Sequence, residues 1–201
     1  MFTGIITEVG KVSNIQQNSF GKTITISCKS ILENSNIGDS IAVNGVCLTV
    51  TSLNKEGFSA DIGIETLNRS KFKNIKNQDK VNLEKSLTLR DYLSGHLVTG
   101  DVEFTAKIEK IIKKGISTIY TISLPNKYKK YVVEKGRITI DGISLTISKL
   151  NSNSFDICII PHTIKNTIIS DYKIGTIVNI ETDLIAKHIE KLLLSENKNE
   201  K

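Results

Sequence analysis

Eight residues of this chain are written twice, and that repetition limits the possible folds more than any other feature. Residues 43–50 read VNGVCLTV; 97 positions later, residues 140–147 read IDGISLTI. Glycine, leucine and threonine are unchanged and every other position is conservatively altered. Each copy opens with Asn-Gly or Asp-Gly between apolar residues, the strongest short-range signal for a two-residue hairpin turn, because both turn positions need positive φ. The strand that follows alternates. Val46, Leu48 and Val50 share one face and Cys47 and Thr49 the other; Ile143, Leu145 and Ile147 oppose Ser144 and Thr146 in the same way. One polypeptide thus presents two ledges of small hydrogen-bonding side chains, each backed by an apolar face.

The repeat extends well beyond the ledges. At the same offset Leu53-Asn54 matches Leu150-Asn151, Phe58 matches Phe155, Thr66 matches Thr163, and Val81-Asn82-Leu83-Glu84 matches Val178-Asn179-Ile180-Glu181. With the offset one shorter, Phe2-Thr3-Gly4 falls on Val98-Thr99-Gly100. A single indel across the pair marks a tandem duplication. The first half shows strand-like runs at 5–15, 22–28, 40–44, 46–53, 58–64 and 80–85. The second shows them at 102–112, 117–124, 137–141, 143–150, 155–160 and 177–182. Short β-branched runs with Gly, Asn and Asp punctuation argue for an antiparallel barrel or sandwich per half. Helical turns are expected at 30–35 and 126–135, and again at 65–74 and 162–172. The alternation lapses near 90–96, which gives units of 1–96 and 97–183. From Leu184 the period becomes 3.6, with Leu184, Ile185, His188, Ile189, Leu192 and Leu193 in one apolar stripe. Residues 184–201 are therefore expected to form a helix and a polar tail. A helix with this stripe packs either on its own domain or against the same helix of other subunits.

Composition excludes several classes. No run approaches the roughly 18 apolar residues of a membrane span, and the N-terminal residues lack the basic flank and apolar core of a secretory signal. Three scattered cysteines (Cys28, Cys47, Cys158) and three separated histidines argue against a disulfide framework or a metal site, and the expected compartment is the cytoplasm. The net charge of +6 rests on 24 lysines and only 3 arginines, scattered along the chain. Bidentate nucleic-acid readout favours arginine, and aromatics interleaved on the strands for base stacking are missing. No nucleic-acid role is expected.

The opening MFTGI, the pair NGVCLTV and DGISLTI, SGHLVTG at residues 94–100 and IPHT at 160–163 together resemble the riboflavin synthase family, built from two lumazine-binding repeats. The resemblance spans nearly the whole chain. It implies an all-β fold of two tandem six-stranded antiparallel Greek-key barrels plus a C-terminal α-helix that holds a homotrimer. It further implies dismutation of two 6,7-dimethyl-8-ribityllumazine molecules to riboflavin and 5-amino-6-ribitylaminouracil, by transfer of a four-carbon unit without metal or organic cofactor. The pocket of an N-terminal repeat would face the C-terminal repeat of a neighbouring subunit. The sequence carries no signal for or against association with lumazine synthase. A non-catalytic lumazine- or flavin-binding paralogue, used as an optical antenna, is the competing reading; it needs only one good pocket, whereas both ledges here are intact.

Carried over by position, the first pocket would use Phe2, Thr3, Gly4, Ile5 and Ile6, then Cys47, Leu48 and Thr49, then Asp61, Ile62, Gly63, Ile64, Glu65 and Thr66. The second would use Gly100, Asp101, Val102, Lys135, Ser144, Leu145 and Thr146, with Cys158, Ile159, Ile160, Pro161, His162 and Thr163. Polar residues that the family places at or near the chemistry fall on Ser40, Cys47, His96, Lys135, Ser144 and Asp183. Asp183 also suits the N-cap of the last helix. One position departs from the family: the second repeat opens Thr99-Gly100-Asp101, where a histidine is usual. The family reaction begins by removing a proton from the substrate's C7 methyl group, and an ionised Asp101 would repel the resulting anion. The Asp101 side chain is therefore expected to turn to a cation, with Lys135 the best candidate, or toward backbone donors.

Overall fold

The computed structural model describes residues 1–199, with side chains through Leu194; the polar tail expected from the sequence lies largely outside the described residues. Twelve strands form two closed antiparallel barrels of identical order. The first holds β1 (Glu8–Asn18), β2 (Gly21–Ser27), β3 (Ser40–Val43), β4 (Val46–Asn54), β5 (Gly57–Gly63) and β6 (Lys80–Lys85) in the order β1-β2-β5-β4-β3-β6. The second repeats it with β7 (Phe104–Lys114), β8 (Ser117–Ser123), β9 (Arg137–Ile140), β10 (Ile143–Leu150), β11 (Ser154–Ile159) and β12 (Ile177–Thr182). The duplication reaches the irregularities. The register shifts at Val12/Asn14 and Val50/Ser52 in one barrel recur at Ile108/Lys110 and Ile147/Lys149 in the other. Bulges bend a strand where a small barrel must turn its corner. Both dipeptide turns have positive φ throughout, at Asn44, Gly45, Asp141 and Gly142, as the type I′ hairpin requires.

Each barrel is filled by its inward alternation. Ile24, Ile41, Val50, Phe58 and Leu83 are buried in the first, and Ile122, Ile138, Ile147, Phe155 and Ile180 in the second. Short helices close one end of each: α1 (Ile64–Arg69) with a 3₁₀ turn at Lys71–Asn74, and α2 (Pro161–Asn166) with a 3₁₀ turn at Ile168–Asp171. Further 3₁₀ turns at Ser30–Leu32 and Asn126–Tyr131 are shorter than the helices expected there. The last helix, α3, runs Leu184–Asn199, and Asp183 caps it by accepting the Ile185 amide at 3.0 Å.

Two strands start later than the alternation suggested, at Glu8 and Phe104 rather than residues 5 and 102. The reason is a pair of carboxylates. Glu84 accepts the Thr3 amide (2.7 Å), the Thr3 hydroxyl (2.7 Å) and the Gly4 amide (3.0 Å). Glu181 accepts the same three groups from Thr99 (2.7 and 2.9 Å) and Gly100 (3.0 Å). With those amides taken, the strands do not run on through Thr3-Gly4 and Thr99-Gly100; residues 2–7 and 98–103 become arms that rejoin their barrels where the Thr7 and Glu103 amides donate to the Leu83 and Ile180 carbonyls (2.9 Å each). The arms meet each other through a bridge between Phe2 and Val98.

The barrels join about an approximate two-fold axis. The Asn44-Gly45 and Asp141-Gly142 turns lie so close that a Cβ on Gly45 would stand 2.7 Å from the Gly142 amide. Beside them the Asn82 and Asn179 side chains cross over. Asn82 Nδ2 donates to the Asp141 carbonyl (2.8 Å) and Asn179 Nδ2 to the Asn44 carbonyl (2.9 Å). Such buried amides are tolerated because each finds partners.

Candidate active site

The arms do not serve their own barrel's ledge. The Gly4 carbonyl accepts the Ser144 amide at 2.7 Å, and the Gly100 carbonyl accepts the Cys47 amide at 3.0 Å. A Cβ on Gly4 would fall 2.6 Å from Ser144 Cβ, and one on Gly100 would fall 2.6 Å from Cys47 Cβ. Both glycines also have positive φ, so the contact requires glycine twice over. Side-chain packing agrees: Val102 belongs to the first barrel's core cluster and Ile6 packs against the second's. The sequence reading grouped Gly4 and Ile6 with Cys47, and Gly100 and Val102 with Ser144. Within one chain the structure exchanges them.

At the first ledge a cavity of about 230 Å³ is lined by Val46, Cys47, Glu65, Thr66, Gly100, Asp101 and Val102. Three further lining residues, Arg69, Glu103 and Lys187, had no functional reading in the sequence. Lys187 comes from α3 and donates to Glu103 at 2.7 Å, while Glu103 also accepts the Thr182 hydroxyl at 2.8 Å. Arg69 pairs with Glu65 one helical turn away. The cations of this pocket are therefore Arg69 and Lys187. Lys135 is not among them: its ammonium donates to the Ser148 carbonyl at 3.2 Å, on the second barrel. The expected turn of Asp101 toward Lys135 does not occur, since the exchange of arms carries Asp101 to the other ledge. Ser40 sits on the same sheet, opposite Thr49, and Ala42 is the cross-strand neighbour of Cys47.

The second ledge carries different chemistry. Ser144 Oγ lies 2.7 Å from His96 Nδ1, and His96 Nε2 lies 3.2 Å from the hydroxyl of Thr139. Burial holds the His96 imidazole below its ordinary pKa; the Asp183 carboxylate pulls it back up and the Arg137 guanidinium pushes it further down. Arg137 donates to the Thr146 hydroxyl at 3.2 Å. Of the six residues proposed near the chemistry, Ser144, His96 and Asp183 thus gather at one ledge, Cys47 and Ser40 lie at the other, and Lys135 is bonded to the Ser148 carbonyl of the second barrel. His162 and Thr163 are on α2, and exposed Cys158 and Ile160 lie just before it.

Several candidates are buried or turned outward, with Phe2 packed beneath the first ledge, where a Cβ on Gly100 would stand 3.0 Å from its ring. Phe2, Leu48, Ile62, Leu145 and Ile159 are buried, so they can offer only backbone groups to a ligand. Asp61 is exposed and accepts from the Thr23 hydroxyl at 2.6 Å. Cys28 is core: burial, with Glu8 nearby, pushes its thiol up to about 12, which makes it unreactive. Larger clefts lie elsewhere, among them two of about 510 and 650 Å³. One is the groove between barrels beside Lys71 and Tyr172; the other lies under the linker beside Glu84 and Tyr92. Neither contains Cys47 or Ser144.

The profile of the family described as the lumazine binding domain matches residues 3–86 and again 99–183. The riboflavin synthase of Actinobacillus pleuropneumoniae is 45% identical over 194 residues, covering 96% of this chain and 90% of that one. The chain belongs to the riboflavin synthase family. Within that family, the riboflavin synthase of Bacillus subtilis is 41% identical over 99% of this chain and 93% of its own length. Among solved structures, LumP complexed with riboflavin superposes with a TM-score of 0.83 at 26% identity, covering 90% of this chain and 99% of that one. LumP complexed with 6,7-dimethyl-8-(1'-D-ribityl) lumazine gives 0.82 at 24% identity. The family's two repeats coincide with the two barrels described above.

Proposed function

We propose that the protein is a riboflavin synthase, a transferase that dismutates two molecules of 6,7-dimethyl-8-ribityllumazine. One molecule passes a four-carbon unit to the other, giving riboflavin and 5-amino-6-ribitylaminouracil. The observation that carries this reading is the pair of ledges, each complete and each finished by the other repeat's arm, in a chain similar to a riboflavin synthase over 96% of its length. A reaction between two identical substrates needs two related sites. Orienting both reactants can supply about 7–11 kcal/mol of the barrier. Ledge hydroxyls, the Cys47 thiol and arm carbonyls and amides suit the pyrimidine edge and ribityl chain of such a substrate.

The functional units we assign are 1–96, 97–183 and the helix that follows, with the site residues divided as the arms divide them. Gly4, Ile5 and Ile6 join Ser144, Thr146 and α2; Gly100, Asp101 and Val102 join Cys47, Thr49 and α1. The reading includes a homotrimer. The α3 helix is tied to its own barrel by charge, through Lys187 to Glu103 and Glu190 to Lys130 and Tyr131. Its apolar side faces outward, with Ile185 60% and Ile189 51% exposed. The cavity at Cys47, about 230 Å³, is smaller than the roughly 300–1,000 Å³ of typical small-molecule sites, which supports a half-site closed by a neighbour. Three free cysteines, two of them exposed, support a cytoplasmic setting.

Incubating the purified protein with the lumazine alone, in chelator-containing buffer, tests the function. Riboflavin should accumulate with one uracil product per riboflavin. Tight binding without product would instead identify an antenna-type paralogue, a reading that the two intact ledges disfavour.

A further inference from the structure

His96 ends the linker that joins the two repeats. Its backbone amide donates to the Thr3 carbonyl at 3.1 Å. The residue before it must be glycine, since a Cβ on Gly95 would stand 2.0 Å from the Thr3 carbonyl oxygen and 3.0 Å from Ser144 Oγ. The ring is thereby held between two hydroxyls, Ser144 at Nδ1 and Thr139 at Nε2. Those two residues are cross-strand partners on β9 and β10. Thr139 is 1% exposed; Ser144 is half-buried at the ledge.

A neutral imidazole carries one N–H, so the line of three groups has two possible directions. If Nε2 held the hydrogen, it would donate to Thr139, and the Thr139 hydroxyl hydrogen would need another acceptor. Among the described residues, His96 Nε2 is the only hydrogen-bond partner of that hydroxyl. The hydrogen would then be buried and unpaired, which is costly. In the opposite direction nothing is stranded. Thr139 donates to Nε2, Nδ1–H donates to Ser144 Oγ, and the Ser144 hydrogen is left to point out of the ledge, where a ligand or water can accept it.

We propose that Thr139 is a positioning residue that sets His96 as the Nδ1–H tautomer and so commits the Ser144 hydroxyl to donate to its ligand. The recognised group is a carbonyl oxygen or an unprotonated ring nitrogen of a heteroaromatic substrate, not an N–H. Among the described residues the first ledge has no such device: the position equivalent to Thr139 is Ala42, and no histidine bridges to Cys47. The low pKa of His96 fits, because a protonated ring would donate at both nitrogens and reverse Thr139. The charged groups acting on it are Asp183 and Arg137. The proposal rests on the reading that Ser144 lines the second lumazine pocket, and the test separates the two.

The full-length protein labelled with ¹⁵N has three histidines, and two-bond ¹⁵N–¹H spectra distinguish their tautomers. The His96 signals, assigned by their loss in His96→Gln, should show Nδ1–H at neutral pH. Thr139→Val should shift the ring toward Nε2–H and lower turnover about tenfold, in keeping with one misdirected hydrogen bond. Thr139→Ser should restore both. An Nε2–H ring in the unaltered protein overturns the proposal, as does a Thr139→Val variant with unchanged tautomer and turnover. Ser144→Ala tells the two failures apart. If it turns over and binds the lumazine like the unaltered protein, Ser144 is not in the pocket and the proposal falls with that reading. If it is impaired while His96 is Nε2–H, only the relay is wrong.

Discussion

The two ledges share a backbone and differ in nearly everything chemical. Cys47 and Ser144 occupy the same place on the same strand, and each receives a glycine carbonyl from the far arm. Cys47 faces a small cavity edged by Glu65, Arg69, Asp101, Glu103 and Lys187; Ser144 faces a buried imidazole with a guanidinium and a carboxylate nearby. The cause is partly topological. His96 lies in the connection between repeats, and a fused pair has only one connection. A duplicated chain therefore cannot keep its two sites alike near the join, and the dissimilarity suits a reaction in which one substrate gives and the other receives.

The comparison can be broken in several ways, in falling order of effect. Removing residues 184–201 should disable both ledges at once. It takes Lys187 from Glu103, leaves Asp183 without the helix that it caps, and removes the apolar face proposed for trimer contact. Turnover should fall by more than about a hundredfold, and sedimentation should find monomers. A full-length protein that is itself monomeric at micromolar concentration would refute the trimer.

The carboxylate clamps should behave as twins. Glu84→Gln and Glu181→Gln each place an amide N–H₂ against a backbone donor, and each should cost about 1–3 kcal/mol in denaturant unfolding. Burial raises both pKa values above the ordinary range, against hydrogen bonds from the arms that lower them. The folded state then keeps those protons to higher pH than the unfolded chain. Stability accordingly falls as pH rises from the ordinary glutamate value through the folded ones, and the double Gln variant should flatten that slope. Strongly unequal effects of the two single variants would show that the frame is less symmetric than its hydrogen bonds.

At the ledges themselves, Ser144→Ala should slow turnover about tenfold to a hundredfold, with more effect than Cys47→Ser, which retains a donor. Turnover should also fall on the acid side as His96 takes a proton, with a midpoint below the ordinary histidine value of about 6.5. A midpoint above that value would mean that Asp183 outweighs burial. The smallest effect should belong to Asp101. Asp101→Asn should cost less than about tenfold, and Asp101→His should be tolerated, because the arm meets the Cys47 ledge through the Gly100 carbonyl and not through this side chain. A thousandfold loss with binding intact would make that carboxylate the base.

Much of this was legible in the residues. The doubled VNGVCLTV and IDGISLTI pattern yielded the turns, the barrels and both ledges, because hairpin chemistry and strand alternation are local. The VNLE and VNIE match even held Glu84 and Glu181, although nothing in a strand pattern says that its last carboxylate will seize a distant Thr-Gly. Which ledge each arm would reach was not legible. Both arms and both ledges are alike in sequence, and only the packing of the barrels about their axis decides. Thr139 fell within an expected strand and Lys187 off the apolar stripe of the last helix, and neither carried a functional reading; their roles depend on neighbours 43 and 84 positions away. His96 emerged only through family resemblance.

The crossed arms bear on how such a protein could have begun. A single repeat cannot lay its own Thr-Gly arm against its own ledge, since the arm is pinned by its own glutamate and ends at the other barrel. Before fusion, the ancestral gene product would have completed its ledges only by pairing, each chain lending an arm to its twin. Gene fusion then froze one dimer into a single polypeptide and freed its two former equals to diverge.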